Sequence, residues 1–218
     1  MRRSGFTLPE VLLATTLSLV VCAAAVSLLR SQVRAIAEHT ERMEGRERVR
    51  AVVRTVERQL RRAGDGLPAT EPALVQAAPF AVAFSVTRVV DPGAPARTDT
   101  ISFWIARGAS GALVLNRRVN ARAADTLARE LVLDSIAPFT YQRRDSIDGL
   151  VTVPASALPL VHAPEHGTPG DSGGSALLDE IRVVTLHLVM RVPGRDGASV
   201  RRAADATIRL PNAGIARH

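Results

Sequence analysis

The feature that most constrains this chain is an unbroken apolar run near its N-terminus. From Val11 to Leu29 nineteen residues carry no charge, and Glu10 stands directly in front of them. At ~1.5 Å of helical rise per residue the run spans about 28 Å, close to the hydrocarbon thickness of a bilayer. It exceeds the ~7–15-residue core of an ordinary signal peptide. A membrane-spanning helix is therefore expected, and the carboxylate at its lip needs a physical reason. A negative charge at a helix N-terminus is favoured by the helix dipole. In a desolvated helix bundle it also needs a cation, because an unpaired buried charge costs several kcal/mol.

Three secretory readings compete for this segment. Ala23-Ala24-Ala25 offers a small-residue cleavage site that would release a soluble product. Cys22 is a candidate lipid-bearing cysteine, although Val21 precedes it where a small residue is wanted. Arg2-Arg3 resembles a twin-arginine signal, although Ser4 and Gly5 follow where a bulky apolar residue is wanted. None of the three gives Glu10 a role. A carboxylate snorkelling to the headgroups is the plain alternative. Arg2 and Arg3 on one flank are balanced by Arg30 and Arg34 on the other, so loop charge barely decides the orientation.

The 218 residues allow one compact domain with appendages, or two small ones. All 28 basic residues are arginine and none is lysine, which with abundant alanine points to coding bias. That weakens any inference from the +7 net charge. Aromatic residues make up only 3% of the chain, so no stacking surface is interleaved with the arginines and nucleic acid is not expected as the main partner. Cys22, the single cysteine, rules out an intramolecular disulfide and a cysteine metal site.

From Arg30 to Ala63 the spacing predicts more helix. Val49, Val52, Val53, Val56, Leu60 and Ala63 draw one apolar stripe at three- and four-residue steps. Glu38–Arg42, Glu44–Arg48 and Glu57–Arg61 stand at i,i+4 in the favourable order on the opposite side. Gly45 is expected to soften or bend this helix, and Gly64, Gly66 and Pro68 to end it. Joined to the apolar run, the helix would be roughly 80 Å long.

Beyond it the period falls to two. Phe80, Val82, Phe84 and Val86 alternate, as do Ile101, Phe103 and Ile105, and Leu113 to Val119 is a further candidate strand. The strongest pair is Ile181–Val192 with Val200–Leu210, joined by PGRDGAS, whose Asp-Gly favours a reversal. Val184, Leu186, Leu188, Met190 and Val192 form one apolar face; Thr185, His187 and Arg191 lie on the other. The fold expected is α+β: a long N-terminal helix packed against a small antiparallel sheet domain. The segments are 1–5, a helix over 6–29, its amphipathic outer half over 30–66, and a sheet domain over 67–218 with a flexible loop at 163–175.

GFTLPE, preceded by a basic stub and followed by the apolar run, resembles the prepilin cleavage and methylation signature of type IV pilins and type II secretion pseudopilins. The resemblance implies a cytoplasmic leader, 1–5, cut between Gly5 and Phe6 by prepilin peptidase. It implies methylation of the new Phe6 amine and a retained helix that packs in a filament core. The family role of pairing with a neighbouring subunit's N-terminal amine falls on Glu10. Pro9 stands where an aliphatic residue is commoner, in a first turn that tolerates proline. LRRAG at 60–64, LVLDSIAPFTYQRR at 131–144 and EIRVVTLHLVMRVPG at 180–194 resemble the PilW-type minor pilins and J-type minor pseudopilins. TIRLPNAG resembles their closing strand, with Pro211 where arginine is common. Implied partners are prepilin peptidase, other major and minor pilins or pseudopilins, and an inner-membrane assembly platform. The implied topology is a single pass of the bacterial inner membrane with the N-terminus cytoplasmic and the sheet domain periplasmic or extracellular. No cofactor, metal or catalytic residue is implied.

Three stretches imitate chemistry. GDSGG at 170–174 copies the nucleophile loop of trypsin-like proteases, but no histidine lies in an Ala-Ala-His-Cys context to serve as base. HAPEH at 162–166 spells a zinc pattern that requires a helix, and Pro164, Gly167 and Pro169 oppose one. DSIDG at 145–149 lacks the alternating oxygen ligands of a calcium loop and reads as a β-turn. His187 reads as a half-buried sheet histidine. A signal-cleaved, β-rich exported binding domain is the alternative reading of the whole chain, and a DNA-uptake pilin using its arginine face is a third.

Overall fold

The computed structural model describes residues 7–67, 73–88, 97–145, 149–161, 174–193 and 198–210. The cleavage and methylation residues Gly5 and Phe6 lie outside these, as do HAPEH, most of GDSGG and of the 163–175 loop, the centre of DSIDG, and the chain from Pro211 onward. The fold is α+β, with one long N-terminal helix, partly apolar, packed against a multi-stranded antiparallel sheet. The chain divides into two compact units, Met1–Glu44 and Gly45–His218.

In the first unit the described residues are almost wholly helix. The helix α1 runs Leu8–Leu60 and so continues into the second unit. Its apolar part is long enough to cross a membrane, and none of it is buried in the structure. Leu12, Leu13, Leu17, Leu19, Val20 and Val21 all stand more than half exposed. Three hydroxyls in and just beyond this run, those of Thr15, Thr16 and Ser31, are turned back onto the helix: Thr15 Oγ1 donates to the Leu12 carbonyl at 2.9 Å, and Ser31 Oγ to that of Leu28 at 2.7 Å. Such back-bonding lets a hydroxyl sit in an apolar medium without a lost hydrogen bond. Of the predicted i,i+4 pairs, Glu38–Arg42 forms at 3.4 Å.

In the second unit the end of α1 lies on the sheet through the stripe that its spacing predicts. Val49, Val53, Val56, Leu60 and Ala63 are buried, and Val52 packs against them. Glu57–Arg61 pairs at 2.6 Å, and Glu47 takes Arg54 as its partner. Gly64 and Gly66 adopt φ of 80° and 67°, the left-handed conformation that ends a helix. Gly45, where softening or bending is expected, also has a packing contact. The helix runs through it unbroken, and Gly45 is buried against Val192.

The strands are β1 Leu74–Ala78, β2 Ala81–Arg88, β3 Arg97–Arg107, β4 Leu113–Val119, β5 Asp125–Leu131, β6 Phe139–Asp145, β7 Gly149–Thr152, β8 Leu160–Val161, β9 Ile181–Pro193 and β10 Ser199–Arg209. A short helix, α2 (Gly174–Glu180), precedes β9. All ten strands join one sheet in the order β7-β6-β9-β5-β4-β3-β2-β1-β8, with β10 on β9. Every pairing is antiparallel. The expected antiparallel sheet thus has ten strands. The strand β9 organises it: one edge carries β10 along its length, and the other meets β6 near Leu186 and β5 at Met190. Phe80, expected on the first strand face, instead lies in the β1–β2 turn and is 44% exposed, while Val82, Phe84 and Val86 are buried as predicted.

Two strands escape a period-two reading for a shared reason. In β1 the buried residues Leu74 and Ala77 are three apart, and in β5 so are Ala128 and Leu131. Strict alternation would set such residues on opposite faces. Each strand pairs with a register shift, and in β5 Glu130 adopts φ 57°. The extra residue of a bulge returns the second apolar side chain to the core. The core then closes with Phe84 and Phe103, ring centroids 6.2 Å apart, beneath the helix stripe.

Candidate functional site

At the head of the apolar helix Thr7 is the N-cap, and Glu10 is the third helical residue. Glu10 Oε2 accepts the Thr7 backbone N–H at 2.9 Å and the Thr7 hydroxyl at 2.8 Å. The Thr7 carbonyl in turn accepts the N–H of Glu10 at 3.0 Å and of Val11 at 3.2 Å. This is the glutamate half of a capping box, in which the third helical side chain reaches back to the cap. Thr7 had no place in the sequence expectation for Glu10, although the T-x-x-E spacing of the two residues is its local signal. Pro9 sits in the first turn, where its missing N–H leaves no donor unmade.

Along the helix from Glu10, Ala14, Ser18 and Cys22 follow at four-residue steps and line one shallow exposed groove with Val11, Thr15 and Leu19. Four-residue spacing sets these side chains on one face. Among the described residues Glu10 has no ion-pair partner. The carboxylate is therefore ordered by neutral donors and open to a cation.

The remaining charged side chains are spread over the sheet unit. Arg117 pairs with Asp125 at 2.7 Å, and Arg143 with Glu180 at 2.7 Å. Arg118 lies 5.5 Å from the Trp104 ring centroid. His187 is mostly buried on β9, bonded through Nδ1 to Asp205 and 3.9 Å from Asp134 through Nε2. Among the described residues no three His, Cys, Asp or Glu side chains are grouped to hold a metal ion. Asp145 and Gly149 face each other across the β6–β7 reversal, with Gly149 at φ 81°.

No family model matches this chain, and neither a curated protein nor a solved structure matches it. The architecture, a long N-terminal helix on an antiparallel sheet, is compatible in general outline with a pilin-like structural subunit. The apolar helix is compatible with a single membrane pass.

Proposed function

We propose that this protein is a minor pilin or pseudopilin, a structural subunit of a type IV pilus or of a type II secretion pseudopilus. The observation that carries the reading is the join of three features in one helix. A capped carboxylate, Glu10, opens it; a bare apolar rod follows; and an amphipathic end is buried on a sheet. Prepilin peptidase cuts between Gly5 and Phe6 on the cytoplasmic side and methylates the Phe6 amine. The freed amine of one subunit then meets Glu10 of its neighbour. Among the described residues Glu10 has only the Thr7 donors, whereas a docked subunit adds a full positive charge in a medium of low dielectric, where such a pair is strong. The apolar helices pack into a filament or its initiating tip on the inner-membrane assembly platform. The sheet unit, on the periplasmic or extracellular side, presents surface to other pilins, pseudopilins or cargo. The stretches at 60–64, 131–144 and 180–194 favour the PilW-type minor pilins or J-type minor pseudopilins within the class.

Mass spectrometry of the mature protein tests the processing step. A chain beginning at methylated Phe6 is expected. A chain beginning near Val26 supports instead a signal-cleaved, β-rich exported domain. Assembly is tested separately with Glu10→Ala, which is expected to be cut normally and yet to stay out of filaments. Normal incorporation of that variant would remove the role given to Glu10.

A further inference from the structure

The strand β10 is an edge. It pairs with β9 from Ser199 to Arg209 in one unbroken register, and among the described residues nothing pairs with its other side. Two hydrogen bonds fix which backbone groups face that free side. Leu210 N–H donates across the pair to the Arg182 carbonyl at 2.8 Å, while His187 N–H turns away from β10 to the Pro138 carbonyl at 2.8 Å. In an antiparallel ladder these orientations alternate. The even positions of β10 therefore bond β9, and Ser199, Arg201, Ala203, Asp205, Thr207 and Arg209 direct their N–H and C=O groups outward. Those same six residues are exposed.

Proteins usually blunt such an edge with proline, a bulge or shortness. Here the strand has eleven residues, no proline and no register shift. What guards it is charge. Its Arg201, Arg202 and Arg209 outnumber its one acid, Asp205, which His187 already engages. A second copy of the strand would bring like net charge against it, whereas an acidic strand would be drawn in. Cross-strand neighbours of opposite charge are favourable, and those of like charge are not.

We propose that the free edge of β10 receives an extended acidic segment of a partner protein as an added antiparallel strand. Its carboxylates stand opposite Arg201 and Arg209, eight residues apart, with a neutral residue opposite Asp205. Main-chain bonds supply the attachment and the two arginines set the register. The inference stands on the sheet alone and does not require the filament reading.

The test uses the full chain in detergent micelles. The probe is a synthetic twelve-residue peptide of alternating threonine and valine, with glutamate at its second and tenth positions and serine at its sixth. Saturable binding by fluorescence anisotropy is expected. It should weaken at least tenfold when the edge-facing amides of the peptide are N-methylated. An equal loss is expected in the double variant Arg201→Glu, Arg209→Glu, whose circular dichroism should match the parent. Three results would overturn the proposal: no saturable binding at low salt, equal binding of the N-methylated peptide, or equal binding to the double variant. Self-association of the parent chain that the double variant abolishes would do so too, by assigning the edge to a second copy.

Discussion

Gly45 lies so close to Val192 that a β-carbon placed on it would stand 3.3 Å from Val192 Cγ1. The helix meets β9 there so closely that a side chain would require Val192 to give by a few tenths of an ångström, which offsets the preference for alanine over glycine of about 1 kcal/mol inside a helix. Gly45→Leu is expected to destabilise the sheet unit by about 1–3 kcal/mol through overpacking. Denaturant unfolding followed by Trp104 fluorescence measures it, and Val192→Ala in the same chain should recover part of the loss.

Leu60 and Leu19 test the division of labour along α1. Leu60 is fully buried and Leu19 is 73% exposed. Leu60→Ala should lower unfolding stability by about 2–5 kcal/mol. Leu19→Ala should leave that transition in place. A comparable loss from Leu19→Ala would mean that the apolar rod is part of the folded core.

The Tyr141 hydroxyl joins β6 to the β1–β2 turn. It accepts the Ala78 N–H at 3.1 Å and shares its proton between the Ala78 and Ala81 carbonyls, each at 2.9 Å. Tyr141→Phe should cost about 1–3 kcal/mol, because buried polar groups lose their partner.

Burial also pushes the Tyr141 phenol well above its ordinary range, against the weaker downward pull of its Ala78 bond. The folded protein then holds a proton that the unfolded chain releases. The stabilisation is complete below the unfolded phenol's pKa of about 10 and is lost as pH rises beyond it, by at most ~1.4 kcal/mol per pH unit. Tyr141 is the only tyrosine and the chain has no lysine, so tyrosinate absorbance and unfolding midpoints above pH ~10 report this group directly. Tyr141→Phe should lack the alkaline fall. An identical fall in both chains would refute the assignment.

Thr7→Ala removes the hydroxyl that holds Glu10. The first turn of α1 should exchange its amide hydrogens faster, in keeping with the ~0.5–2 kcal/mol that an N-cap contributes. Thr7→Ser should restore protection. Unchanged exchange in the alanine variant would mean that Glu10 orders the turn without Thr7.

Much of this molecule was legible in the sequence because much of it is local. The apolar run announces its helix by length alone, and the stripe Val49, Val53, Val56, Leu60 appears at helical spacing and is buried as read. The β9–β10 pair follows from two alternating runs, β4 keeps the bounds that its residues suggested, and the PGRDGAS reversal lies mostly outside the described residues. The capping of Glu10 by Thr7 was equally local and could have been taken from T-x-x-E. The strands β1 and β5 were not readable, since a bulge moves a residue that plain alternation would place on the other face.

By itself, then, the sequence determined the periodic elements: where a helix must lie, which of its faces is apolar, and where glycines end it. Tertiary structure alone decided that β9 lies between β10 and the β5 and β6 strands, that Gly45 is a point of contact, and that Tyr141 finds its partners some sixty residues away. Periodicity is a property of neighbours along the chain. Register and contact depend on residues that meet only when the whole sheet has closed.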